Sequence, residues 1–341
     1  MFYPRLNSIR ALAVLMVLAH HYFPSIKIFG IGDIGVNLFF FLSGYLISGR
    51  LIDKSNTGSW GMIKSFYLNR SLRIFPIYYL YLIVGILLSS SMGVVIGWNF
   101  VSYLTYTSNI YFYQINSWDG VFSHLWSLAV EEQFYILWPL MMVFYISKNL
   151  AKRLIILSFL SILSTCLLVY YLPDRNIHLL LVSCVYKFSL GALSGTIITR
   201  FHDIFLKYLS LLMLYMPLGL TLAAYICFLN YRFGFLISDV LLYFVFLIFV
   251  FTSITPNIRG WLVDFLSNSK IQYLGLISYG VYMYHLIVPW FLDFLVMKLN
   301  LGFDFLNFNF IRAFLSTIFT ICLAHFSYRY FETFFYKYKS K

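Results

Sequence analysis

Apolar runs long enough to cross a bilayer recur from one end of this 341-residue chain to the other. A hydrocarbon layer of about 30 Å takes about 20 apolar residues of helix. No water reaches that layer, so each backbone N–H and C=O must be satisfied internally, and such runs become helices. Ten spans are read, at roughly 8–23, 34–52, 74–97, 124–146, 154–172, 179–199, 206–229, 235–254, 271–297 and 310–335. Hydrophobic residues make up 61% of the chain and charged ones 11%, a balance that a soluble core of this size does not need. The first run is not read as a cleaved signal peptide, because His20, His21, Tyr22, Phe23 and Pro24 offer no small residues for cleavage. The expected fold is an all-α membrane protein of about ten transmembrane helices, one domain over residues 1–341.

The net charge of +12 reads as topology rather than as a nucleic-acid surface. With the N-terminus in the cytoplasm, 17 basic residues between or beside the spans fall on the cytoplasmic side and 4 (Lys27, Arg175, Arg232 and Lys298) on the other. That asymmetry follows the positive-inside rule and places both termini in the cytoplasm. Cys166, Cys184, Cys227 and Cys322 lie singly in apolar segments without a CxxC, so they read as packing residues, and no metal site is expected.

Two inter-span stretches are long. Residues 53–73 are basic and amphipathic, as in a helix lying on the membrane surface that turns inward at Pro76. Residues 98–123 are external, rich in Tyr and Asn, and carry Asp119 as their one charge. Such a face suits sugar stacking, although an aromatic interface belt explains it equally simply.

Four constellations break the apolar background. In RALAVLMVLAHHYF, ten residues separate Arg10 from His21, a rise of about 16 Å on a helix. Arg10 then lies at the cytoplasmic face and His21 beyond the midplane, where ionisable groups are costly and usually functional. The plainer alternative makes Arg10 a topological charge and the histidines interfacial. In GVNLFFFLSGYLISGRL, Ser43 interrupts an aromatic run, and Gly44 and Gly49 permit close helix approach. Ser43 is thus either a packing residue or a nucleophile. In FYLNRSLRIFPIYY, Arg70 and Arg73 share a helix face. Positive charge at a helix N-terminus opposes the dipole, which a bound phosphate relieves; positive-inside placement is the competing reading. In HLWSLAVEEQFYILWP, Glu131 and Glu132 lie about 100° apart around one helix, so one narrow cavity cannot take both. An ionised carboxylate in lipid costs about 3 kcal/mol, so at least one faces a polar cavity or a partner such as His21. His124 and His285 add imidazoles of the kind that usually bridge helices.

In this order the motifs resemble the acyltransferase-3 family of integral membrane O-acyltransferases, which includes bacterial O-antigen and exopolysaccharide acetylases. The resemblance runs through Arg10 and His21, FFFLSGYLI, Arg70, Arg73 and Pro76, WSLAVEEQFY, SYGVYMYH ending at His285, and SYRYFE around Glu332. Asn37, Asn69 and Thr333 depart from the family pattern, which often has aspartate, arginine and proline there. No SGNH-type extracytoplasmic domain, which some members carry, is expected beside the membrane domain read here. The resemblance implies a cytoplasmic acyl-CoA donor, acetyl-CoA above all, and a hydroxyl acceptor on a lipid-linked or surface polysaccharide such as O-antigen, capsule or exopolysaccharide. It implies no metal, no nucleic acid, contact with membrane lipids, and a multi-pass place in a bacterial inner membrane. Arg10, Arg70 and Arg73 would hold the donor's phosphates, His21 would take the acceptor's proton, and Glu131 would orient the imidazole. Ser43, Glu132, His124, His285 and Glu332 are further candidates. A transporter or flippase for a lipid-linked saccharide would also place histidines and carboxylates in mid-membrane, but no inverted repeat is visible.

Overall fold

The computed structural model describes residues 3–23, 30–53, 59–92, 97–145, 149–229, 233–256, 258–299 and 305–339. Among them the secondary structure is helical throughout, with no strand. The long helices are α1 (Arg5–Tyr22), α2 (Ile31–Asp53) and α3 (Ser59–Met92). Two short helices follow, α4 (Phe100–Leu104) and α5 (Ser108–Ile115). Then come α6 (Leu125–Tyr145), α7 (Leu150–Tyr171), α8 (Val185–Arg200), α9 (His202–Phe228) and α10 (Gly234–Ile254). A short α11 (Trp261–Ser267) leads into three consecutive pieces, α12 (Ser269–Leu276), α13 (Ser278–Tyr284) and α14 (Ile287–Lys298). The chain closes with α15 (Phe305–Phe326), one π-helical stretch at Ser327–Glu332 and α16 (Thr333–Tyr336).

Six helices are long and apolar enough to cross a membrane, or seven if the α13–α14 pair, bent by 43°, counts as one span. The chain is thus an integral membrane protein. The expected spans near 8–23, 124–146 and 179–199 are helices that fall outside this group, for a physical reason. Arg5, Arg10, His20 and His21 dilute α1; Glu131, Glu132 and Gln133 dilute α6; α8 has 16 residues and carries Lys187 and Arg200. These are helices that bring polar groups into the interior.

The expected surface helix at 53–73 takes another form. Asp53 ends α2, and residues 59–73 belong to the 34-residue α3, which continues through Pro76 into the apolar run. Proline lacks an N–H and leaves one carbonyl of the preceding turn without its helical partner, yet the helix persists. The Tyr- and Asn-rich stretch at 98–123 also differs from the open stacking face expected of it. Tyr103, Phe112 and Phe122 are buried in it, and Tyr106 stacks on Tyr78 of α3 at 4.1 Å. The Tyr103 hydroxyl donates to Asp119 at 2.6 Å. Most of these aromatics form a cap over α3 and α6, while Trp98 and Trp118 are exposed.

Helix α1 sits centrally, packed on α2, α10, α11, α12, α13 and α15. One close crossing is between α2 and α8. A Cβ on Gly44 would lie 1.9 Å from the Phe188 carbonyl oxygen, and one on Gly191 would lie 2.0 Å from that of Phe41. The two backbones therefore touch, as small residues permit between membrane helices. Gly49, expected to serve the same end, has open space around it.

On the far side of α2 lies a buried ion pair. Lys187 Nζ is 3.2 Å from Asp239 Oδ2 and donates to Asn37 Oδ1 at 2.7 Å. Asn37 Nδ2 and the Tyr186 hydroxyl both donate to Asp239. The residue that departs from the family pattern, Asn37, thus bridges a lysine and a carboxylate supplied by α10.

Candidate active site

A cavity of about 570 Å³ opens between α1, α2, α3, α6 and α13. Each helix turns its polar residues toward it, since burial in protein is the alternative to exposure in lipid. Arg10 enters from α1, Ser43 and Arg50 from α2, and Arg70 and Arg73 from successive turns of α3. Glu131, Tyr135 and Ser127 come from α6, Ser278, Tyr279 and Tyr282 from α13, and Lys339 from beyond α16. Five cationic side chains thus share one cavity with the single carboxylate of Glu131.

The interior is ordered by contacts across helices. The Ser43 hydroxyl donates to Glu131 Oε1 at 3.1 Å and lies 2.9 Å from the Tyr135 hydroxyl. The Arg70 guanidinium stacks over the Tyr135 ring, 3.8 Å from its centroid, a favourable cation–π geometry. The Nε atoms of Arg10 and Arg70 are buried without a hydrogen-bond partner among the described residues. Such donors ordinarily have partners, so a ligand acceptor here would complete them.

Next to the cavity floor lies a cluster of imidazoles. The rings of His21 and His285 are 4.9 Å apart, those of His285 and His124 5.0 Å, and those of His20 and His21 5.1 Å. His285 Nδ1 bonds the Tyr282 carbonyl at 2.5 Å. A carbonyl only accepts, so Nδ1 carries the proton and, in the neutral ring, Nε2 keeps its lone pair. That Nε2 is buried with no hydrogen-bond partner among the described residues. Tyr22 supports the cluster by donating to the His285 carbonyl at 2.8 Å. The Ser127 and Tyr282 hydroxyls, 2.5 Å apart, both bond the His124 carbonyl and line the cavity. They form the partition between cavity and imidazoles.

The sequence candidates thus fall into two adjoining groups: Arg10, Ser43, Arg70, Arg73 and Glu131 in the cavity, and His21, His124 and His285 beyond it. Glu131 makes its contacts with Ser43, Tyr135 and the arginines, while the imidazole set against His21 is His285. Of the adjacent glutamates, Glu131 lines the cavity and Glu132 is buried behind it, near Tyr78, Tyr106 and Tyr279. Glu332 is buried in the π-helical stretch, accepts from the Tyr336 hydroxyl at 2.9 Å, and faces Arg73 and Lys339. Single π-helical turns within α-helices frequently mark functional sites.

Arg50 and Lys339 are two of the 17 basic residues that the sequence places on the cytoplasmic side, and Tyr135, Ser127 and Tyr282 are cavity residues outside the sequence candidates. Tyr135 had a signal, since it lies one turn beyond Glu131 on the same face. Arg50 and Lys339 had none, because only the folded chain brings them together.

Fold and site define a helical integral membrane protein with a cation-lined cavity backed by histidines. The model of an acyltransferase domain family, acyltransferase-3, matches residues 3–329, and the chain belongs to that family. It is 27% identical to the peptidoglycan O-acetyltransferase OatA of Listeria monocytogenes over 97% of this chain and 55% of that protein. It is 28% identical to the putative peptidoglycan O-acetyltransferase YrhL of Bacillus subtilis, over 83% of this chain and 48% of that protein. A putative O-acetyltransferase of Staphylococcus aureus is 26% identical over 92% of this chain and 57% of its own length. The chain thus spans about half the length of these relatives. No solved structure matches it.

Proposed function

We propose that this protein is an O-acetyltransferase that moves an acetyl group from cytoplasmic acetyl-CoA to a hydroxyl of a cell-surface glycan. The observation that carries the reading is the cation-lined cavity, which ends against the imidazole cluster. Family membership supports acyl transfer, and the positive-inside bias is consistent with a multi-pass place in a bacterial inner membrane with the cavity mouth in the cytoplasm. Arg10, Arg70 and Arg73 hold the donor's phosphates, and the thioester reaches inward past Ser127 and Tyr282. His21, neutral, takes the proton from the acceptor hydroxyl as that oxygen bonds to the thioester carbonyl. The C–S bond then breaks, and the CoA thiolate leaves with the proton from His21. His285 orients His21 and shares its positive charge, with Nε2 poised as an acceptor. Glu131 keeps the arginines and Ser43 in register.

Two relatives are named for peptidoglycan, so a peptidoglycan hydroxyl is the first acceptor to test, ahead of O-antigen, capsule or exopolysaccharide. The purified protein in lipid nanodiscs is given acetyl-CoA with and without peptidoglycan fragments, and free CoA thiol and acetylated glycan are measured. Acceptor-dependent release of both products is expected. No acetyl-CoA consumption in nanodiscs, together with saccharide transport by the same protein in sealed vesicles, would overturn the reading in favour of a flippase.

A further inference from the structure

The cavity holds more positive charge than its assigned phosphate contacts require. Arg10 and Arg70 are deep, with buried Nε atoms that have no hydrogen-bond partner among the described residues, and Arg73 lies one turn beyond Arg70. Arg50 and Lys339 line the same cavity from its outer end, on segments remote in sequence. Arg50 lies in the last turn of α2 and is exposed. Lys339 is half-buried, and its ammonium rests over the Tyr336 ring, 3.3 Å from the centroid. Both face Arg70 and Arg73. Like charges gathered this closely destabilise one another unless an anion lies among them.

A helix C-terminus alone would account for Arg50, and the Tyr336 ring alone for Lys339. Neither explains why the two meet at one opening with Arg73. We infer that Arg50 and Lys339 form a second anion subsite at the cavity mouth, for a phosphomonoester separate from the phosphates held by Arg10 and Arg70. In the donor proposed above, on which this inference rests, that group is the ribose 3′-phosphate, while the diphosphate lies deeper. The subsite would therefore select CoA thioesters over thioesters on carriers that lack the remote phosphate.

Lys339 lies beyond the membrane-spanning helix, where burial first, and then Arg73, lower its pKa to about 8; Glu332 opposes them, and Arg50 and Arg70 add to the lowering. Tyr336 offers its ring face. Between pH 7 and 9 a phosphomonoester is already a dianion, so Lys339 is the group that changes. It is charged below about 8 and loses its proton above, so CoA binding should weaken as pH rises through that value.

The test measures binding of CoA and of 3′-dephospho-CoA to the protein in phosphatidylcholine nanodiscs by calorimetry. The parent should bind CoA at least about tenfold more tightly, the scale of a charge-assisted hydrogen bond. Lys339→Gln and Arg50→Gln should each lose about tenfold for CoA and stay within about twofold for dephospho-CoA. The advantage of CoA should also fall between pH 7 and 9 in the parent and stay flat in Lys339→Gln. Equal binding of the two nucleotides by the parent, or equal losses for both in the variants, would overturn the subsite; a site for anionic lipid headgroups gives that same result, because it tells neither nucleotide apart. Binding of neither nucleotide by the parent would remove the donor reading itself, a distinct failure.

Discussion

Replacing Gly44 by alanine should damage both the stability and the activity of this protein, while the same change at Gly49, five residues along α2, should do neither. The added Cβ at position 44 would lie 1.9 Å from the Phe188 carbonyl oxygen and 2.7 Å from its carbon. An ordinary contact starts near 3.4 Å, so α2 and α8 must part by about 1.5 Å at the crossing. The obstacle is backbone, which cannot rotate aside. Inserting one carbon into a tight core typically costs about 1–3 kcal/mol, and here the reciprocal contact at Gly191 is lost as well. Helix propensity works the other way by up to about 1 kcal/mol, but equally at both positions, so it cancels in the comparison. The displacement reaches the site through neighbours. Phe188 stacks on Phe40 of α2 at 4.7 Å and on Phe134 of α6 at 3.9 Å. The Ser43–Glu131 hydrogen bond of 3.1 Å does not survive a shift of this size. Heating each variant in detergent and measuring the monodisperse fraction gives relative stability. Gly44→Ala should lose about 1–4 °C, whereas Gly49→Ala should match or slightly exceed the parent. Equal stability of the two variants would refute the backbone contact and the packing argument built on it.

Four further outcomes are expected. His21→Ala should abolish acetyl transfer while membrane insertion stays normal, whereas His20→Ala, about 100° around the helix, should keep much of the activity; comparable turnover by His21→Ala and the parent would end the general-base assignment. Arg70→Ala and Arg73→Ala should each weaken CoA binding by about tenfold or more, with lysine rescuing only in part because the planar fork is lost. Cysteine-accessibility mapping of residues 98–123 should show unchanged topology in these variants, and inverted insertion would assign the arginines to topology instead. Lys187→Ala should destabilise the protein by about 3–5 kcal/mol by leaving Asp239 buried and uncompensated, while Lys187→Met with Asp239→Leu recovers most of the loss in a thermal assay. In sealed vesicles of known orientation, acetyl-CoA should be consumed from the cytoplasmic face and acetylated glycan should form on the other, because carrying a polar sugar through hydrocarbon costs several kcal/mol per unpaired hydroxyl; product confined to the cytoplasmic face would contradict this sidedness.

Local sequence determined the helical membrane class, because bilayer thickness and backbone hydrogen bonding leave a long apolar run one option. It determined that Arg70 and Arg73 share a face and that Glu131 and Glu132 cannot, since both follow from the helical period. It also marked α1 and α6 as unusual by the polar residues they bury. Tertiary structure decided the rest. Which glutamate looks into the cavity depends on how α6 is rotated about its axis, and its neighbours set that rotation. His21 lies on α1, His124 in the turn before α6 and His285 in the turn between α13 and α14, and the contact that joins them has no local signature. Arg50 and Lys339 read as ordinary positive-inside charges until the chain's end folds back to the mouth of α2 and α3. The extended surface helix and the Gly49 contact failed for the same reason: a helix's local pattern says which faces it has, while what each face meets is set by segments far along the chain.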